Sequence, residues 1–189
     1  MRVVTIPDWT VRGVLPPIDE QNPISPERSP YKVSLADIIK KFATSTERCN
    51  ILDGFLRYRE SLQKLGFIDG FQWLNGSFME SVEMLEQRVP KDVDVVTFFS
   101  LNNGCDQAAI IRQNPWLVDL LQIKKDFCVD GYMVDMRQSP KVLIERSAYW
   151  YSLWSHRRNQ LWKGYLQVDL SATDDAAAKN VLENIRLKQ

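Results

Sequence analysis

Followed for the recurrence of apolar positions, the chain changes character near residue 70. Before that point apolar residues recur at helical spacing. Leu35, Ile38, Ile39 and Phe42 form one stripe behind Ser34, a residue suited to an N-cap. Ile51, Phe55, Tyr58, Leu62 and Leu65 form a second stripe over residues 46–65, punctuated by Gly66 and Gly70. After it, short apolar runs take over. Residues 71–74 read as a strand, Asn75-Gly76-Ser77 as a turn, and residues 78–88 as a helix stopped by Pro90. Residues 92–99 read as the most apolar strand of the chain, and residues 101–104 as a turn. Short helices are predicted over residues 105–112 and 115–123, with another strand inside residues 124–136. A helix is predicted from Lys141 into the aromatic stretch beyond, placing Tyr151, Trp154, Arg158 and Trp162 on one face. Residues 163–170 read as a final strand, and Ser171 as the cap of a last helix carrying Ala176, Val181, Leu182 and Ile185.

Residues 1–33 read as an extended N-terminal arm. Residues 2–6 suit a short strand, and prolines 16, 17, 23, 26 and 30 favour turns and polyproline geometry. The remaining residues, 34–189, are expected to form a single domain, with a helical pair at 34–66 packed on its core. The order of elements predicts an α+β fold, a small mixed β-sheet flanked by helices.

Composition narrows the classes. Lys plus Arg and Asp plus Glu both number 24, so no global field draws in nucleic acid or an anionic membrane, although a local basic patch remains compatible with that balance. No apolar run reaches the length of a membrane span, so no membrane partner is expected. The first ten residues, interrupted by Pro7 and Asp8, do not read as a signal peptide. Cys49, Cys105 and Cys128 are widely spaced and odd in number, which suits free thiols in a reducing cytoplasm. His156 is the only histidine, which argues against a His-rich zinc site.

One irregularity carries chemistry. Asp92 and Asp94 open the most apolar strand, two residues apart. Side chains alternate along a strand, so both acids project to one face, with Cα atoms about 7 Å apart. Val93 and Val95 take the other face. Two such carboxylates repel unless a cation lies between them or one holds a proton. Hard divalent ions bind through such oxygens, whereas plain hydration at a strand start is the alternative. The preceding Gly76-Ser77 bend lets backbone approach a phosphate closely and adds a hydroxyl donor.

Leu74, Gly76 and Ser77, then Asp92 and Asp94 on the next strand, resemble the signature of the nucleotidyltransferase superfamily, the polymerase-β-like fold. "NGSF", "PKDVDVV", "GVLPP" and "KGYLQVDL" look like a branch of small bacterial proteins in it. Residues 78–91 make a linker slightly longer than is usual there, which an extended helix over residues 80–88 is expected to absorb. The resemblance implies a nucleotidyltransferase-like sheet. It implies two Mg2+ ions held by Asp92, Asp94 and a third acid, with Gly76 and Ser77 holding the phosphates of a nucleoside triphosphate. Asp126, Asp130 and Asp135 are the candidates for that acid. Asp130 is preferred, inside its strand and on the side of Cys128 and Tyr132, and it is also the expected general base. The implied reaction moves a nucleoside monophosphate to a hydroxyl of RNA, protein or a small molecule. The alternative is an inactive nucleotide-binding module of a toxin–antitoxin or phage-defence system, acting through a partner protein or as a homodimer.

Further basic residues invite attention. Arg48 and Lys91 are candidates for phosphate contact or simple surface charge. The stretch from Tyr149 to Tyr165 interleaves aromatics with His156, Arg157, Arg158 and Lys163. It suits helix packing or a nucleotide or acceptor surface. Lys124 and Lys125 read as a solvated pair.

Overall fold

The computed structural model describes residues 5–102 and 104–189. Its sheet has five strands: β1 (Tyr31–Lys32), β2 (Asp69–Asn75), β3 (Val93–Ser100), β4 (Val129–Asp135) and β5 (Leu166–Asp169). Their spatial order is β1-β5-β2-β3-β4. The central β2 runs antiparallel to β3 and β5, whereas β3–β4 and β1–β5 are parallel pairs. The helices are α1 (Leu35–Phe42), α2 (Thr46–Lys64), α3 (Val82–Glu86), α4 (Gln107–Gln113), α5 (Leu120–Phe127), α6 (Pro140–Trp154) and α7 (Asp175–Arg186). A mixed sheet flanked by helices agrees with the α+β class. Among the described residues no helix is long and apolar enough to cross a membrane.

Alternation within the strands feeds two cores. Leu74, Val93, Val95, Phe99, Val129 and Val168 face one way, onto the apolar stripes of α1, α2 and α7. Trp73, Val96, Phe98 and Val134 face the other way, onto Trp150 and Trp154 of α6 and onto Tyr165. Ser34 and Ser45 cap α1 and α2, each accepting a hydrogen bond from the amide three residues on. A buried polar clamp ties α2 to α7. Arg59 donates to both oxygens of Asp175, at 2.9 and 2.7 Å, and to Gln72 Oε1 at 2.7 Å.

Several expectations need correction. Of the strand expected over residues 2–6, residues 1–4 lie outside the described residues, and Thr5 and Ile6 are not in a strand. In the turn expected at 101–104, Asn103 also lies outside them. The N-terminal segment contributes β1, and Ile6, Val14 and Leu15 are buried, because its prolines fold it back over the body. Residues 78–88 are not one helix. A 3-10 turn at Ser77–Met79 is followed by extended Glu80 and then α3. Asp119 caps α5, which runs on to Phe127, where Cys128 ends it in left-handed geometry. Lys124, Lys125 and Asp126 are therefore helical, and the strand starts only at Val129. Helix α6 ends at Trp154, so Arg158 and Trp162 do not continue its face. Residues 155–163 instead fold back on themselves, with His156 and Trp162 bridged. In α7, Ala178 is buried and Ala176 is exposed.

The Arg59 guanidinium is 1% exposed, so removing its carboxylate strands a buried charge. Asp175→Ala is expected to cost about 3–5 kcal/mol, measured by urea denaturation. The double variant Arg59→Met/Asp175→Leu is expected to regain only part of that loss, because Gln72 Oε1 and the carbonyls of Asp169 and Ser171 lose their donor as well.

Candidate functional site

Strand register builds a polar row. Asn75 of β2 lies opposite Asp94 of β3, and Asp94 lies opposite Asp130 of β4. Directly opposed residues share a sheet face, and adjacent strands are about 4.8 Å apart. The row continues the face that α6 covers, at the end where the apolar residues stop. Asp92 precedes β3 by one residue and joins the row through a lysine. Lys124 Nζ, from α5, lies 2.9 Å from Asp92 Oδ2 and 3.7 Å from Asp130 Oδ2.

The bend beside the row has no room for a side chain. Gly76 has φ +84°, and a Cβ there would lie 2.1 Å from Asp94 Oδ2. Behind the bend stands Arg48, fully buried. It donates to Phe78 O and Glu80 O, both at 2.7 Å, and to the Glu83 carboxylate at 2.5 and 2.8 Å. Arg48 therefore shapes the turn from within and cannot reach a phosphate. Lys91 is exposed. The N-terminal segment holds the turn from its other side. Trp9 Nε1 donates to Met79 O at 2.8 Å, and the Ser81 amide donates to Gly13 O at 2.9 Å.

An open cleft of about 540 Å³ lies over the bend, lined by Asn75, Gly76, Ser77 and Asp94 on one side. The opposite side is built by the end of α6 and the fold-back after it, including Trp154, His156, Arg157 and Arg158, and by Lys163. Glu80 organises this wall: it accepts Lys163 Nζ at 2.6 Å and lies 3.3 Å from Arg157 Nε. Arg88 reaches Ser77 Oγ at 3.5 Å. Four cationic side chains, Arg88, Arg157, Arg158 and Lys163, line the cleft with two carboxylates, Glu80 and Asp94, and Glu86 outside the lining pairs with both Arg88 and Arg157. A concave, cation-rich lining suits an anion. Asn75 is 2% exposed; its amide donates to Trp154 O at 3.0 Å, but its Oδ1 has no partner. Such an orphaned acceptor is costly unless something else supplies a donor or a cation.

The expected site residues therefore meet. Asp92, Asp94 and Asp130 gather at one end of the sheet, with Gly76 and Ser77 beside Asp94. Of the other acids considered, Asp126 sits on α5, and Asp135 ends β4 at the far side, paired with Arg137 at 2.8 Å. Among the described residues, no group of three or more His, Cys, Asp or Glu side chains is arranged to hold a metal ion. The cation in contact with the row is the Lys124 ammonium. The donor chemistry nevertheless fits a hard divalent ion, since every donor is an oxygen. Glu80 and Arg88 escaped the sequence reading, Asn75 was read only as part of the turn, and Lys124, read as one of a solvated pair, is instead paired with Asp92. Asn75 was legible as the neighbour of Gly76, but the contact of Lys124 became visible only once α5 was placed.

Electrostatics set the row apart. Burial, then the charges of Asp130 and Asp92, push Asp94 up to about 6, against the pull of Lys163 and Lys124. Lys124 is raised, chiefly by its hydrogen bond to Asp92. A carboxyl raised in the folded state binds more protons there than when unfolded. Its destabilising charge is absent below the ordinary value of 3.8 and fully present above about 6. Without added metal, the contribution of Asp94 to stability is therefore expected to fall as pH rises from 4 to 6.5, so the pH profile of Asp94→Asn should differ from that of the unaltered chain over this range. The difference should be on the order of 2 kcal/mol, read by urea denaturation across the range.

Comparison with known proteins bears on the whole assembly. No curated protein and no solved structure matches the chain. A family of unknown function, DUF6932, matches residues 7–169, a span that includes the carboxylate row, the bend and the cleft wall. The chain belongs to that family.

Proposed function

We propose that the chain is a nucleotidyltransferase-like protein that binds a nucleoside triphosphate in this cleft and transfers its nucleoside monophosphate to a hydroxyl acceptor. The carrying observation is the close approach of Gly76 to Asp94, which sets a bend without a side chain against the one acid of the row that lines the cation-rich cleft. Asp92, Asp94 and Asp130 would hold two Mg2+ ions. Bound there, magnesium supplies neutralisation of the polyphosphate and a lowered pKa for an attacking hydroxyl.

The chain's own residues do the rest. Gly76 lets the phosphates approach the backbone, and Ser77 Oγ donates to them. Arg88 beside Ser77, and Arg157 and Arg158 from the opposite wall, take up their charge. Trp154 and His156 offer ring surfaces beside them. The acceptor oxygen forms its bond to the α-phosphorus while the bond to the pyrophosphate oxygen breaks. Asp130 receives the hydroxyl proton, and pyrophosphate leaves.

The Lys124 bridge favours a second reading. An ammonium already seated between Asp92 and Asp130 suits a module that binds nucleotide without turnover and acts through a partner protein. Incubation with magnesium, each labelled triphosphate and cell extract separates the two. Label transfer with pyrophosphate release supports the enzyme, and binding alone supports the module.

Asp92→Ala and Asp94→Ala are expected to lower magnesium-dependent triphosphate binding or transfer by at least about a hundredfold, with circular dichroism unchanged. Unchanged affinity in both variants refutes the site. Arg158 is exposed and lines the cleft. Arg158→Ala is expected to weaken triphosphate binding by about tenfold, measured by calorimetry.

A further inference from the structure

Lys124 differs from the other cations near the site. It touches the carboxylates themselves, bridging Asp92 and Asp130, whereas Asp94, which neighbours both, receives no ion pair from it within 4 Å. Helix α5 holds the base of its stem firmly. Ile123 beside it is fully buried, Arg57 donates to Asp126 O at 3.0 Å, and Gly54 of α2 packs against Phe127 O so closely that a Cβ would lie 2.0 Å away. Beyond that anchor the side chain is 46% exposed, so the ammonium can swing away without opening the core. Asp94, by contrast, feels Lys163 and Lys124 only at a distance. Asp94 is crowded by two like charges, and Asn75 Oδ1 next to it is buried without a partner.

We propose that Lys124 is a tethered counter-ion that competes with divalent metal for Asp92 and Asp130, so that metal loads together with a polyphosphate rather than alone. The proposal rests on the nucleotidyltransferase reading and concerns the regulation of that same site. A divalent ion brings two charges to acids that the ammonium serves with one, but it must first displace the ammonium. A metal–polyphosphate complex lowers that cost. Its phosphates give the displaced ammonium a new partner and engage Arg88, Arg157 and Arg158 at the same time. Metal alone provides neither, so the lysine holds the row in reserve until substrate arrives. The lysine charge also limits the repulsion among the acids in the interval.

The test uses the full chain, with Mn2+ as a hard cation whose free form is counted by electron paramagnetic resonance. Lys124→Met and Lys124→Gln are expected to bind Mn2+ alone about fivefold more tightly than the unaltered chain, and Lys124→Arg to bind it equally. The preformed complex of Mn2+ with tripolyphosphate, titrated by calorimetry, is expected to bind the unaltered chain and Lys124→Met within about twofold of each other. Asp94→Asn is expected to lose Mn2+ binding throughout. If Lys124→Met and Lys124→Gln bind Mn2+ no better than the unaltered chain while Asp94→Asn binds it poorly, the counter-ion role is overturned and the metal site stands. If Asp94→Asn binds Mn2+ as the unaltered chain does, the row is not a metal site, and the functional reading falls together with the role of Lys124.

Discussion

Residue 76 is held to glycine by its φ of +84°, which L side chains rarely adopt, and a Cβ there would also push against the Asp94 carboxylate, 2.1 Å away. Much else serves that contact. The β2–β3 register places Asn75 opposite Asp94, so the chain turns immediately past the carboxylate. Arg48 pulls the carbonyls of Phe78 and Glu80 inward, and Trp9 takes that of Met79 from the other side. A surface bend would ordinarily be soft. This one is fixed by a buried guanidinium and an indole, which leaves its approach to the acid well defined.

Charge is segregated at short range in a chain whose totals cancel. Acids gather where three strands end, and bases gather on the fold-back after α6 and at its approach from α3. Glu80 joins the two groups, nearly buried and engaged by Lys163 and Arg157. It holds the basic wall upright without neutralising all of it, since Arg158 stays free to face the cleft. Net charge describes neither half. What matters to an anion entering the cleft is the local sum, in a concavity where water screens less than it does outside.

The sequence made the acids legible because a strand alternates: Asp92 and Asp94 had to share a face, and Asp130 fell on the matching side of its own strand. Helices α1 and α2 were equally plain, since their apolar stripes repeat over their length and Ser34 marks the start of the first. Three features were hidden. Residues 78–88 carry helical spacing, yet Arg48, thirty or more positions earlier, overrides it by drawing carbonyls out of the helical pattern. Lys124 looked like a solvated residue beside a strand, because nothing local marks where α5 ends; that end depends on Cys128 adopting left-handed geometry. The aromatic stretch after residue 149 kept its helical period past Trp154, but the His156–Trp162 bridge redirects the chain. In the first case a long-range contact outweighed a local preference, and in the second a single left-handed residue set the boundary.

The outer strand pair has a kinetic corollary. Tyr165 donates its amide to Ser29 Oγ, a partner 136 positions away, and β1 lies alongside β5 at the same edge. A nascent chain therefore carries β1 unmatched until β5, more than a hundred residues later, has left the ribosome. The antiparallel β2–β3 ribbon, much closer in sequence, can form well before then. The bend and its acid would thus be assembled early, and the sheet would be sealed late by the segment made first.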